Sequence, residues 1–237
     1  MWIGIDDTDT LDSPGTNKLA LHLTRVLADK LTVRLVVRHQ LFFDPRVPYT
    51  SHNGCVSMLA DVSASTSASD VADLIRPIIV EWSPVGSDPG LCIATQVSPE
   101  VVSFAKRCQR EVVPQSKAHE LAARTGVLLE SLGGTGDGAI GALAAVGLLA
   151  TRDDGRVLHQ GYGVGEPFDV RGSLAVDEIL SRGVNRVENL DTGVRVESGT
   201  VTLSKRLRPN LRQGELVLFV KPADNAADGD WQAVKLV

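Results

Sequence analysis

The spacing of apolar positions along this chain switches repeatedly between strand and helix periods. Residues 2–5 form a short apolar run. Leu19, Leu23, Val26, Leu27 and Leu31 then recur at helical spacing through residues 18–30, with Thr16 or Asn17 placed to cap the helix. The β-branched run at 32–37 and the apolar run at 55–60 read as buried strands separated by a polar loop at 45–54. A small, polar stretch at 63–69 leads into a helix over 69–82 that carries Val71, Leu74, Ile75, Ile78 and Ile79. The turn at 86–90 precedes a strand at 91–95. This order, strand-helix-strand-strand-helix-strand, is compatible with a split βαβ sandwich.

Pro99 opens a helix to about residue 113, and Pro114 ends it and starts another over 115–124, since proline suits a first turn but not a helix interior. Beyond a glycine loop at 133–138, residues 139–149 are apolar with no charge before Arg152, which predicts a helix buried on all sides. The remainder reads as strands at 156–160, 193–203, 215–220 and 231–236, a helix at 173–181 and a loose hairpin tip at 225–230. The expected fold class is α+β with two α+β domains, residues 1–113 and 114–237. The first has a βαββαβ-type sheet.

With 237 residues, 43% of them hydrophobic, the chain is long enough for two real cores. Apolar runs fall short of a membrane span, and Met1 leads directly into the first strand without a basic, apolar leader. The expectation is a cytoplasmic protein with no membrane partner. Cys55, Cys92 and Cys108 are odd in number, far apart and set among apolar residues, so they read as core thiols rather than disulfides or a zinc site. A net charge of -5 excludes a generally basic nucleic-acid surface. Local patches such as Lys205, Arg206, Arg208 and Arg212 can still meet phosphates.

Candidate chemistry concentrates at the first strand's end. Asp6, Asp7 and Asp9 place three carboxylates within four positions, costly unless a cation neutralises them, and a strand end that projects hard oxygens into a loop suits Mg²⁺ and a polyphosphate. The competing reading is a helix-capping loop, which needs one such residue. A second candidate, the run Gly133, Gly134, Thr135, Gly136, Asp137, Gly138 before a helix, offers backbone amides free of side-chain bulk for an anion. It is neither a Walker A loop nor a dinucleotide fingerprint, and a tight turn feeding a close-packed helix explains it equally well. The loop at 48–54 can shape a ligand pocket, although Asn53-Gly54 is also an ordinary hairpin turn. His39 and His52 can approach each other across neighbouring strands, but a lone histidine is more often a hydrogen-bonded structural residue.

In order along the chain, IGIDDTD, VPYTSHNG, SDPGL, GGTGDGAIGALAAVG, VRGS and ENLDTG together resemble the signatures of the archaeal tRNA-Ile agmatidine synthetases. That resemblance implies use of ATP and Mg²⁺ to activate an anticodon cytidine and condense agmatine with it. It also implies a kinase-like domain (1–113) and a ferredoxin-like domain (114–237), with the family's OB-fold and zinc ribbon outside these residues. No Cys-x-x-Cys pair is present. It extends over essentially the whole chain. Residue by residue, it assigns metal and phosphate binding to Asp6, Asp7 and Asp9, and phosphorylation during the reaction to Thr16. ATP contacts go to Thr8, Asn53, Gly54, Gly133, Gly134, Thr135, Gly136, Asp137 and Gly138. Gly141 also matches the glycine-rich segment. Two departures stand out: Tyr49-Thr50-Ser51-His52 replaces a loop carrying Lys and Arg, and Thr135 and Asp137 replace an Asn-x-Arg pair. Losing cations weakens contacts to phosphate or RNA there.

The expected function is ATP- and Mg²⁺-dependent phosphoryl or nucleotidyl transfer to a small-molecule or RNA acceptor, with Asp6, Asp7 and Thr16 in catalytic roles. The alternatives are a non-catalytic module that binds nucleotide or RNA, and a subunit completed by a partner chain.

Overall fold

The computed structural model describes residues 1–47, 52–161, 168–225 and 229–236. It is a mixed α+β structure. Its first six elements are β1 (Trp2–Asp6), α1 (Thr16–Val26), β2 (Thr32–Arg38), β3 (Val56–Asp61), α2 (Ala68–Trp82) and β4 (Gly90–Ala94). They take the split order expected from the sequence, β4-β1-β3-β2, with β1 antiparallel to both its neighbours. The small, polar stretch before α2 has a specific use: Ser67 and Asp70 form a reciprocal capping box that satisfies the helix's first amides.

The chain continues through α3 (Pro99–Cys108), α4 (Gln115–Thr125), β5 (Leu128–Ser131), α5 (Gly138–Thr151) and β6 (Arg156–Gln160). β5 pairs with β4 at one end of the sheet and β6 with β2 at the other, so the sheet passes through the expected division at 113/114. We propose that any division falls beyond β6 instead. There follow β7 (Gly172–Ala175), α6 (Val176–Ser181), β8 (Arg186–Asn189), β9 (Arg195–Val196), β10 (Thr200–Leu203), β11 (Asn210–Arg212), β12 (Glu215–Pro222) and β13 (Trp231–Ala233). β11 joins them to the first sheet by pairing with β6. The helix expected from residue 173 begins three residues later, because 172–175 are taken as a strand beside β10. The expected strand at 193–203 is broken into two, with Gly199 between them at φ 107°. The hairpin tip expected at 225–230 falls partly on residues 226–228, outside the described residues.

Three cores result. Ile3 and Ile5 point from β1 to α1 and α2, while Cys92 and Ala94 face α3, α4 and α5 on the opposite side. A third core gathers Val187, Val201, Leu211, Leu218 and Val220 from the later strands, and Leu207 from the loop between β10 and β11, with α6. All three cysteines are buried and free. Among the described residues no helix is long and apolar enough to cross a membrane.

Helix α5 lies backbone to backbone on the sheet. Its residues from Ala142 to Leu149 are all buried, as the missing charges predict. A β-carbon at Gly4 would overlap the Ala142 carbonyl oxygen, and one at Gly138 would overlap the Asp88 carbonyl oxygen. Neither overlap can be accommodated, so these glycines set how closely α5 approaches β1 and β4. Accordingly, Gly4→Ala is expected to lower stability by about 1–3 kcal/mol, the usual range for overpacking. Urea denaturation checks this, and an unchanged midpoint would show that the helix does not rest on β1 in this way.

Candidate functional site

The end of β1, the N-terminus of α1, the extension of the β2–β3 hairpin, the α3–α4 connection and the start of α5 line one open cavity of about 280 Å³. This is close to the lower end of typical ligand pockets. Asp6, Asp7 and Asp9 line it with Asp137 and Glu111, and Leu41, Phe42, Val47, Val112, Val113 and Ile140 give it an apolar wall. Strand β1 delivers Asp6 on the α5 face, where a β-carbon on Gly141 would overlap the Asp6 carboxylate. Asp7 follows in the left-handed region at φ 52°, a costly conformation for a non-glycine residue, and its carbonyl accepts from the Asp88 amide at 3.1 Å.

The carboxylates repel one another. Burial, then the charges of Asp7 and Asp9, push Asp6 up to about 8. For Asp7, burial and then the charges of Asp88, Asp9 and Asp137 raise the value to about 6. Among the described residues no three His, Cys, Asp or Glu side chains form a ready-made metal-ligand set.

Thr16 does not cap α1. Gly15 occupies the cap position, and the Thr16 hydroxyl instead donates to Asp9 Oδ1 at 3.0 Å. Thr8, fully buried, donates to the Thr16 oxygen at 3.1 Å. The result is a directed chain, Thr8 to Thr16 to Asp9, that orients one hydroxyl with a carboxylate as its acceptor.

Within the glycine loop, Thr135 is held by groups from elsewhere in the chain. The Asp88 carboxylate accepts from the Thr135 amide at 2.5 Å and from the Thr135 hydroxyl at 2.7 Å, and Gln115 Nε2 donates to the Thr135 carbonyl at 3.1 Å. An internal anion thus already occupies this turn. Gly133, Gly134, Thr135, Gly136 and Gly138 are not among the cavity's lining residues, whereas Asp137, Ile140 and Gly141 are. The packing alternative holds for Gly138 and Gly141.

Asn53 and Gly54 line the cavity. Asn53 also closes the hairpin, its Nδ2 donating to the Phe42 carbonyl at 2.7 Å. A β-carbon at Gly54 would lie 2.5 Å from Arg38 Nη2, so glycine makes room for that guanidinium. Residues 48–51 of this loop lie outside the described residues. His52 is exposed at the cavity, whereas His39 is fully buried. The two rings therefore serve different surroundings. His39 bridges Asp154 Oδ1 at 2.6 Å and Ser57 Oγ at 2.7 Å. This Ser–His–Asp chain has the order of a hydrolase triad, but Ser57 is fully buried and lines neither this cavity nor the one beside it, so the network ties strands rather than meeting substrate. Burial would raise the Asp154 carboxyl, and the hydrogen bonds from His39 and Gln109 overcome that and hold it low.

A second cavity, of about 270 Å³, adjoins the first and shares Asp9, Thr16, His52 and Gly54 with it. Arg38, Arg156, Lys205, Arg208 and Lys235 line this one. Of these, the sequence drew attention to Lys205 and Arg208 alone. Arg206 of the same cluster pairs with Asp169 at 2.9 Å, and Arg212 lies over the Phe219 ring at 6.0 Å.

No family model matches the chain. It is 26% identical over 152 residues to the curated 2-agmatinylcytidine synthetase TiaS of Archaeoglobus fulgidus, an enzyme named for an isoleucine tRNA, and the match covers 62% of this chain and 35% of that protein. Among solved structures, the complex of TiaS with its isoleucine tRNA and ATP superimposes with a TM-score of 0.55 and 27% identity, over 62% of this chain and 35% of that one. The complex of TiaS with the same tRNA, AMPCPP and agmatine gives a TM-score of 0.52 at 27% identity, over 61% and 35%. The match is narrower than the whole-chain resemblance expected from the motifs, and it spans about a third of the relatives' length. Within these bounds sequence and fold agree, and the matched part of this chain is TiaS-like.

Proposed function

We propose that the chain catalyses ATP- and Mg²⁺-dependent phosphoryl or nucleotidyl transfer to a small-molecule or RNA acceptor, chemistry related to that of the agmatidine synthetases it resembles. The observation that carries this reading is the oriented Thr16 hydroxyl, held between Thr8 and Asp9 where an acidic and a basic cavity meet. The ATP and isoleucine tRNA named with the TiaS structures support it by similarity.

In this reading the apolar wall of Leu41, Phe42, Val47 and Val113 takes the nucleoside and excludes water. Thr16 Oγ1 attacks the terminal phosphorus of ATP, the bond from that phosphorus to the bridging oxygen breaks and ADP leaves, the Thr16 proton passes to Asp9 Oδ1, and Thr8 fixes the direction of attack. One or two of Asp6, Asp7 and Asp9 hold Mg²⁺, the usual protein share of a Mg²⁺ shell completed by phosphate oxygens and water. The cation, when bound, neutralises charge on the phosphates. Burial first, and then mutual repulsion, raise Asp6 and Asp7, and both are costs that such a cation relieves. Asp137 adds a further negative charge to this cavity, which favours a cation over a bare anion there.

Two outcomes are expected. Asp7→Asn and Asp9→Asn should each weaken calorimetric Mg²⁺-ATP binding at least about tenfold with folding intact, as loss of a ligand to a hard cation does. Thr16→Val should abolish ATP turnover. Undiminished affinity in both Asp variants would sink the metal role, and turnover surviving in Thr16→Val would remove the hydroxyl from the mechanism.

The raised Asp6 value also fixes a sign. A carboxyl that holds its proton more tightly folded than unfolded stabilises the protein fully below about pH 4, its unfolded range, and that contribution is lost as pH rises through about 8. Without Mg²⁺, wild type should therefore lose stability relative to Asp6→Asn between about pH 5 and about pH 8, and adding Mg²⁺ at the upper pH should narrow the gap. Urea titrations at the two pH values provide the check. Parallel pH profiles for both proteins would show that Asp6 titrates normally.

A further inference from the structure

The second cavity carries a cost that the fold alone does not explain. Arg38, at the end of β2, and Arg156, at the start of β6, are register partners on antiparallel strands, so their β-carbons lie side by side on one face. Both are about nine-tenths buried, at 8% and 9% exposure. Like charges directly opposite each other on a sheet are destabilising, and burial makes them more so. Arg156 Nε has no hydrogen-bond partner among the described residues, and Arg38 has a neutral one, Gln40 Oε1 at 3.1 Å.

Three more cations converge from segments that flank the later strands: Lys205 and Arg208 between β10 and β11, and Lys235 after β13. Among the described residues none of the five makes an ion pair, although Arg206, next to Lys205, does so with Asp169. The one carboxylate among the described residues lining the cavity is Asp9, already engaged by Thr16. Burial and the neighbouring Arg208 and Arg38 pull the Arg156 guanidinium down to about 10, and burial with four surrounding cations lowers Lys235. Five cations facing one space, two of them buried side by side, form the electrostatic complement of a multiply charged oxyanion. Planar guanidinium groups match phosphate oxygens in particular.

We propose that Arg38, Arg156, Lys205, Arg208 and Lys235 form a phosphate-binding site separate from the nucleotide cavity, and that it holds a phosphate group of the acceptor beside Thr16. The assignment to the acceptor rests on the transfer reading above; the phosphate binding does not. Sharing Thr16, Asp9, His52 and Gly54 between the cavities puts a phosphate bound here next to the hydroxyl that would carry the transferred group.

The test is calorimetric titration of inorganic phosphate into the full chain at low salt, with wild type, Arg156→Gln and the more exposed Lys205→Gln/Arg208→Gln pair, each checked for folding by circular dichroism. Phosphate affinity should fall at least about tenfold in both variants, the loss expected when a charge-assisted hydrogen bond is removed. Mg²⁺-ATP affinity should stay within about threefold of wild type, a difference under about 1 kcal/mol. Phosphate binding that is absent in wild type or unchanged in both variants overturns the site. A parallel fall in Mg²⁺-ATP affinity overturns its separateness and hands the cations to the nucleotide's own phosphates. Phosphate binding as expected with no Mg²⁺-ATP binding in any form leaves the site standing and defeats the transfer reading instead. Competition against phosphate by a nucleoside monophosphate, or by an oligoribonucleotide lacking terminal phosphates, tells a monoester from a diester source. Competition by neither overturns the assignment to the acceptor.

Discussion

Everything at the site depends on how closely α5 rests on β1. The Ala142 carbonyl lies where a side chain at residue 4 would have to go, and Gly141 lies where Asp6 reaches across. That contact is made between backbones, so no rotamer change can relax it, and interiors packed at crystal-like density transmit such constraints. Because α5 seals the face of β1 from which Asp6 emerges, the carboxylate is stripped of water just where two more acids follow it. Its raised proton affinity follows from this helix position before any ligand is considered.

The second constraint is electrostatic polarity across a short distance. One cavity presents Asp6, Asp7, Asp9, Asp137 and Glu111, and the adjoining one presents five cations, with the Thr16 hydroxyl on the wall between them. Each half alone is unfavourable, since both gather like charge at partly buried positions. Their adjacency offsets some of the cost: Asp6 and Arg38 feel each other, each favouring the charged form of its neighbour. An anion bridging to a cation across Thr16 would relieve the rest. Under the proposed function, such an arrangement is preorganised for charge that arrives with the ligand, which is how electrostatic stabilisation of a developing charge is supplied without reorganisation.

Much of this was legible from sequence where the signal is local. The absence of charge from 139 to 149 predicts α5's burial, and Ser67 and Asp70 encode the start of α2. The three acids at the end of β1 mark the acidic cavity. What is not legible depends on partners distant in the chain. The Thr135 amide looks available for an anion because nothing near it in sequence answers it, yet Asp88, from another turn, does. Likewise β5 escapes a periodicity reading because Leu128–Ser131 is half-buried and carries Glu130, which is held by Arg76 from α2. Its strand character comes from pairing with β4 rather than from its own pattern. Thr16 reads as a cap for the same reason that it can face the cavity: a hydroxyl at a helix start can turn to the helix or away from it, and Asp9 decides.

The basic cavity is the least legible part, and its origin explains why. Arg38 belongs to the first sheet, Arg156 to the strand that extends it, and Lys205, Arg208 and Lys235 to the later strands and loops that β11 ties on by pairing with β6. A net charge of -5 hides such a cluster, because charge sums over the chain carry no information about which cations the topology brings together. The acidic cavity is built around β1, α1 and α5, while the basic one requires the strands beyond β6. Two regions of the chain therefore meet at one hydroxyl, and changes in the later strands can alter what is brought to Thr16 without disturbing the Thr8–Thr16–Asp9 chain that orients it.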